Sequence, residues 1–249
     1  MTDHVQTETV GGVLTVRINR PDKRNAITQD MYQALGDALV GAEADESVRV
    51  VVFTGSGGAF TAGNELADIA ERDVLEPSGP TARFIRALID TSKVLVAEVD
   101  GAAIGIGTTM LLHCDLVYAT ARSKFGMPFV NLGVVPEAAS SVLLPRIAGP
   151  GRAARLLLFG DVFSAAEAAE AGIVTEVVAD AETLRAKVAD RVEALLARPA
   201  GALAAVRQLL HPRALVAELH TAAALEGEVF TAASKTPEAQ AAIARLTKR

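Results

Sequence analysis

Val94-Leu95-Val96-Ala97-Glu98-Val99-Asp100-Gly101-Ala102-Ala103-Ile104-Gly105-Ile106-Gly107-Thr108-Thr109 is the stretch that decides the fold class of this chain. Its first six residues read as a strand closed by Asp100-Gly101, and the turn holding Gly105 and Gly107 opens an apolar helix over 110–113. The same unit recurs outward in both directions. Residues 48–53 form a β-branched run closed by Gly55-Ser56-Gly57-Gly58, and residues 13–18 alternate as a strand that ends at Asn19-Arg20-Pro21-Asp22. Thr28 then caps an amphipathic stretch with Met31, Leu35, Ala38 and Leu39 at helical spacing. Residues 116–119 and 173–178 supply further strands. Strand, glycine turn and helix in succession predict an α/β class with repeated ββα-like units, without an exact internal repeat.

From about Leu184 the β signal stops. Helices are expected over 184–197, 202–210, 214–231 and 237–246, punctuated by Pro199, Pro212 and Pro237. This tail holds too few large apolar residues to stand alone, so it must dock on the body or on a neighbouring subunit. Pro77-Ser78-Gly79-Pro80 reads as a surface loop. The helix expected over 81–90 carries Phe84, Ile85 and Leu88 on one face, which either walls a ligand tunnel or is ordinary core.

Half of the 249 residues are hydrophobic and only 4% aromatic, so Ala, Val, Leu and Ile must fill one large core. A net charge of −6 leaves no basic footprint for nucleic acid or an anionic membrane, and a phosphate-bearing ligand would need local cations. The single cysteine, Cys114, lies among apolar neighbours as a structural thiol, which fits a reducing, cytoplasmic compartment. No histidine sits beside a serine in a nucleophile elbow, and no His, Cys and carboxylate cluster has metal-ligand spacing.

Two features invite chemistry. The first is the pair of glycine turns, at Gly55–Leu66 and Asp100–Thr109, whose backbone N–H groups would form an oxyanion hole if aimed at one point. Their glycines serve equally well for tight turns and close packing. The second is Glu137, in Phe129-Val130-Asn131-Leu132-Gly133-Val134-Val135-Pro136-Glu137-Ala138-Ala139-Ser140-Ser141. Every other residue from 129 to 139, Asn131 apart, is apolar, Gly or Pro. Glu137 either complements the dipole of a helix expected over 138–147, with Pro136 at its first position, or does chemistry. Apolar surroundings should raise its pKa above the usual ~4.3 in either case.

These residues resemble the crotonase (enoyl-CoA hydratase/isomerase) superfamily along nearly the whole chain from Val13. The likeness is carried by Arg20-Pro21-Asp22-Lys23-Arg24-Asn25-Ala26, Gly57-Gly58-Ala59-Phe60-Thr61-Ala62-Gly63-Asn64-Glu65-Leu66 and Val99–Gly107. It continues through His113–Ala119, Phe125-Gly126-Met127-Pro128, Leu132–Pro136, and Ala165–Ala168 leading to Gly172-Ile173-Val174. The resemblance implies a crotonase-like spiral of ββα units over residues 1–190. It also implies a C-terminal helical region over 191–249 that helps form a homotrimer or a dimer of trimers. The substrate class implied is an acyl-CoA thioester, whose enolate oxygen would rest on the amides of Asn64 and Ile106, with the side chains there of little consequence. Lys23, Arg24 and Ala26 would lie by the CoA nucleotide. Ala62, Gly63, Leu66, Gly105, Gly107, Phe129, Leu132 and Pro136 would line the substrate path.

Where enoyl-CoA hydratases carry their two glutamates, this chain has Thr109 and Phe129, so the water-activating pair is missing. Glu137 stands where the Pro-Glu-x-x-Ser-Ser pattern of monofunctional 3,2-enoyl-CoA isomerases places its base. The Gly63-Asn64-Glu65-Leu66 segment is also similar to that branch, although Asp is commoner there than Glu65. The implied reaction, of fatty acid β-oxidation type, moves a proton from C2 to C4 of a 3-enoyl-CoA through Glu137, with no metal or redox cofactor. Hydration or hydrolysis with water held by Glu65, Asp68 or Glu137 stands beside it as an alternative, as does a non-catalytic acyl-CoA-binding protein.

Overall fold

The computed structural model describes residues 2–71 and 73–247. β1 (Val5–Val10) and β2 (Val13–Ile18) form an antiparallel hairpin, and Leu14, Val16 and Ile18 turn inward with the period of two that their alternation requires. α1 (Gln29–Ala44) starts at Thr28, whose side chain accepts from the Met31 amide, and buries Met31, Tyr32, Leu35 and Leu39. β3 (Val50–Gly55) follows, then α2 (Leu66–Glu71), α3 (Pro80–Asp90) and β4 (Val94–Val99). Next come β5 (Ala102–Ile104), α4 (Ile106–Thr109), which tightens into a 3₁₀ turn over Met110–His113, β6 (Leu116–Thr120) and β7 (Lys124–Gly126). α5 (Ser140–Ala148), α6 (Pro150–Phe159), β8 (Val162–Ser164), α7 (Ala165–Glu170) and β9 (Glu176–Val178) complete the body.

The strands divide between two layers. A six-stranded sheet runs β1-β2-β3-β4-β6-β9, parallel except for the first pair. A smaller sheet runs β5-β7-β8. Each turn of the chain thus places one strand in the large sheet and the next in the small one, the spiral of ββα units that the sequence pattern predicts. Isolated parallel bridges extend the small layer, Thr61 to Ala103 and Ile27 to Asn64. Segments from three successive turns therefore lie side by side.

The expected strand over 173–178 shortens to Glu176–Val178. The amides of Ile173 and Val174 both bond to the Ala168 carbonyl at the end of α7, so they are not free for a ladder. The strands β5, β7 and β8 have three residues each, too few for periodicity to reveal, and β1 is largely exposed and polar, so it shows no apolar alternation.

The tail forms α8 (Ala181–Leu196), α9 (Ala200–Leu210), α10 (Arg213–Ser234) and α11 (Pro237–Thr247). Residue 190 falls inside α8, whose Leu184, Val188 and Val192 pack with Val50, Val52, Val94 and Val96 of the large sheet. The boundary expected at 190/191 therefore cuts an element that belongs to the body. Beyond it, Leu219, Phe230 and Ile243 join the main core, so α10 and α11 dock on the same chain. α9 is fastened by Arg207, 6% exposed, whose Nε donates to Asp115 at 2.8 Å and whose guanidinium also donates to the Thr91 carbonyl. Burial pushes the Asp115 carboxyl up, but His211, Arg207 and the Leu95 amide outweigh it and hold the pKa below the usual range. Arg207→Ala should cost about 3 kcal/mol in urea unfolding, because it strips a largely buried carboxylate of its cation. A loss under about 0.5 kcal/mol, the level of ordinary surface changes, would mean that the tail is held by something else.

Candidate active site

The two glycine turns meet. Thr61 bridges Ala103 in parallel, and the Ile104 amide donates to the Thr61 carbonyl at 3.0 Å, with Asn64 and Ile106 each three residues further along. Gly63 has φ +93, and a Cβ there would meet the Ile104 carbonyl oxygen at 2.7 Å, so only glycine allows the approach. Ile27 donates to the Gly63 carbonyl and accepts from the Glu65 amide, which turns the Asn64 N–H the other way. Ile106 is the first residue of α4, after Gly105 at φ 58 and ψ −122, and has no intrahelical acceptor. Neither amide has an acceptor among the described residues. The arrangement leaves two donors from neighbouring loops free.

A cleft of about 320 Å³ opens beside them, lined by Lys23, Ala26, Ala62, Gly63, Asn64, Glu65, Leu66, Ile69, Ile104, Gly105, Pro128, Phe129, Asn131, Leu132, Val134 and Phe230. A roomier groove of about 410 Å³ lies between α3 and α10, but neither glycine turn reaches it. Nine expected site residues line the cleft: Lys23, Ala26, Ala62, Gly63, Asn64, Leu66, Gly105, Phe129 and Leu132. Arg24, Ile106, Gly107, Pro136 and Glu137 do not. Arg24 is exposed in the same turn as Lys23, and its carbonyl accepts from the Ala62 amide. Ile106 and Gly107 are fully buried; a Cβ on Gly107 would strike the Thr61 methyl at 2.6 Å, so this glycine is there for packing. Pro136 is half-buried. Phe84, Ile85 and Leu88 are core.

Glu137 is 1% exposed. Its Oε1 accepts from Thr109 Oγ1 at 3.1 Å, and its Oε2 is buried with no hydrogen-bond partner. No cation pairs with it among the described residues. Burial dominates its titration and, with the charge of Glu226, raises the pKa from the ordinary 4.5 to about 8, against smaller opposing effects of the Thr109 hydroxyl and the Asn64 side chain. Tyr32, buried in α1, donates its hydroxyl to Asn64 Oδ1, which leaves the Asn64 Nδ2 end to face elsewhere. The side chain expected to matter little at position 64 is thus tied into the surroundings of Glu137.

The expected helix over 138–147 begins instead at Ser140, because Ala138 (φ 58) and Ala139 (φ 54) are both left-handed. Such backbone costs on the order of 1 kcal/mol or more per non-glycine residue and persists only where neighbours enforce it. Here His113 Nε2 donates to the Ala138 carbonyl at 2.7 Å, and Glu226 accepts from the Ala139 and Ser141 amides. Burial lowers the His113 pKa to about 4, so the ring is neutral with its proton on Nε2. Glu137 lies before this turn and outside the first turn of α5, so it does not serve the helix dipole.

Tyr32, His113 and Glu226 escape the sequence reading. Tyr32 sits on an apolar helix face, His113 in an apolar stretch, and Glu226 in the tail, about ninety residues from its partners. Thr109 is visible as the residue at a glutamate position, but its bond to Glu137 is not. Cys114 is half-buried, and burial pushes its thiol up.

The sequence profile of the enoyl-CoA hydratase/isomerase family matches residues 8–249. Enoyl-CoA delta isomerase 2 of Homo sapiens is 37% identical over 209 residues, covering 81% of this chain and 52% of that protein. The 1,2-epoxyphenylacetyl-CoA isomerase of Escherichia coli is 34% identical over 222 residues, covering 85% of this chain and 83% of that protein. The chain spans about half the length of the delta isomerases it matches. The solved structure of Pseudomonas aeruginosa OdaA superposes with a TM-score of 0.96 at 38% identity, covering 100% of both chains.

The sign of the Glu137 shift fixes a stability prediction. A carboxyl whose folded pKa is raised stabilises below the unfolded value near 4.5, and the benefit is lost as pH rises towards about 8. Glu137→Gln, which cannot ionise, should therefore gain stability relative to wild type between pH 5 and pH 8, by up to the order of 4 kcal/mol. Urea unfolding at both pH values reads this directly. An equal difference at the two would contradict burial of an ionisable Glu137.

Proposed function

This chain belongs to the enoyl-CoA hydratase/isomerase family, and within it we propose that the protein shifts the double bond of a 3-enoyl-CoA to give the conjugated 2-trans-enoyl-CoA. Glu137 takes a proton from C2. The charge that develops on the thioester oxygen is stabilised by the amides of Asn64 and Ile106, and the protonated Glu137 returns the proton at C4. C2 and C4 are two bonds apart, so one carboxyl on one face of the chain serves both. Such a transfer draws on no metal or redox cofactor, and coenzyme A enters only as part of the substrate.

The observation that carries this reading is the isolation of Glu137. Thr109 and Phe129 stand at the two glutamate positions of the hydratases, and Thr109 is spent on Glu137 itself. The other nearby acids are engaged as well. Glu65 pairs with Arg20 at 2.7 Å, and Asp68 accepts from the Gln29 amide at 3.2 Å. Water activation by a carboxylate pair therefore has little support. Lys23 is the basic residue at the cleft that suits the anionic end of the nucleotide, with Arg24 beside it. Assembly as a trimer or a dimer of trimers belongs to the same reading, and the exposed Val206, Leu209 and Leu210 of α9 are apolar surface that such contacts would cover.

Glu137→Gln should lower kcat for 3-enoyl-CoA by about a thousandfold or more while leaving acyl-CoA binding within a few-fold, as judged by calorimetry with a saturated acyl-CoA. Wild-type turnover in that variant would remove Glu137 from the mechanism. The base must be ionised to act, so kcat/KM of the wild type should climb with pH along a limb centred near 8. A profile that is flat or falling from pH 6 to pH 9 would contradict the assignment.

A further inference from the structure

Glu226 is a buried acid that the proposed reaction does not use. It is 7% exposed, and among the described residues it has no cation partner. A carboxylate so placed is costly unless its hydrogen bonds do something an apolar residue could not. Its Oε2 accepts from the Ala139 amide at 2.6 Å, and its Oε1 accepts from the Ser141 amide at 2.9 Å and from Ser141 Oγ at 2.5 Å. Those amides open α5, whose N-cap, Ala139, has no side-chain oxygen to receive them. The cap comes instead from α10, 85 and 87 residues away. The same bonds hold the left-handed Ala138–Ala139 pair from its amide side, while His113 holds it from the carbonyl side.

We propose that Glu226 is a positioning residue for Glu137: from the C-terminal helices it clamps the strained turn that follows Glu137 and so holds that carboxyl in place. The proposal rests on reading Glu137 as the proton-carrying acid. Glu226 acts through backbone and field and touches no substrate. The titratable groups that face Glu137 are Tyr32 from α1 and Glu226 from α10, with His113 behind the turn. Burial, then the charges of Glu137 and Asp68, keep the Tyr32 phenol protonated, and His113 is neutral above about pH 4. Glu226 is thus the charge that Glu137 feels, and it disfavours ionisation of its neighbour. Burial also raises the pKa of Glu226 itself, against the bonds from Ser141 and Ala139.

Two variants separate the clamp from the charge. Glu226→Gln loses the charge and presents an NH₂ group to one of the donors. It should keep KM within about twofold, lose roughly 10- to 100-fold in kcat, and move the rising limb of kcat/KM to lower pH. Glu226→Asp keeps the charge but is one methylene short of both amides, so it should lose kcat with the limb in place. A second readout needs no turnover. In infrared titration of the substrate-free protein, the carboxylic acid band missing from Glu137→Gln reports Glu137, and its midpoint should fall in Glu226→Gln. An unmoved midpoint in Glu226→Gln, or wild-type kcat in Glu226→Asp, overturns the proposal. Absence of isomerisation in the wild type would instead overturn the reaction assigned above, and the infrared titration would still decide the role of Glu226.

Discussion

Glu137 is buried with a single hydrogen bond, from the Thr109 hydroxyl, and with no cation partner among the described residues. Everything else about the site follows from that. The Glu137 carboxyl would rather be neutral, so its affinity for a proton rises to the range in which it can take one up and release it near neutral pH. A cation beside it would reverse that balance, whereas the one carboxylate that acts on it, Glu226, reinforces it. Thr109 supplies one hydrogen bond without charge, and the buried Oε2 has no hydrogen-bond partner. In the proposed reaction this acid is the proton-accepting point, and the amides of Asn64 and Ile106, without acceptors among the described residues, are the charge-accepting point.

The spiral explains how residues so far apart in sequence come together. Each turn of the chain contributes a strand to the large sheet and a short segment to the small one. The segments at Ile27, Thr61–Asn64 and Ala103–Gly105 are neighbours only because three turns stack. The first brings the basic turn, the second and third bring the amides. The helical tail is part of the same construction. Phe230 lines the cleft and Glu226 caps α5, so the tail completes the site from within one chain. Arg207, buried against Asp115, ties α9 down on the body.

Much of this is legible in the residues. Val13–Ile18 and Val94–Val99 fall where alternation and apolar runs place them, because a six-residue strand packed on a core must show its period. The glycine turns are legible for the same kind of reason, since a Cβ at Gly63 would collide with backbone. What escapes is non-local. Alanine has no preference that announces a left-handed pair at 138–139; the pair exists because Glu226 and His113 hold both of its sides. The division expected at residue 190 falls inside α8, which carries the same spacing whether it packs on the large sheet or on other helices. Tyr32 looks like any core aromatic until its hydroxyl is found on Asn64.

If a single carboxyl carries hydrogen from C2 to C4, as proposed, isotope transfer between the two carbons reports it. With 3-enoyl-CoA deuterated at C2, turnover in ordinary water should place part of the label at C4 of the 2-trans product, because a sheltered Glu137 returns some of what it took. Complete loss of label to solvent at every stage of the reaction, with none at C4, would mean that water or a second group delivers the proton. Glu137 would then be no carrier between the two carbons.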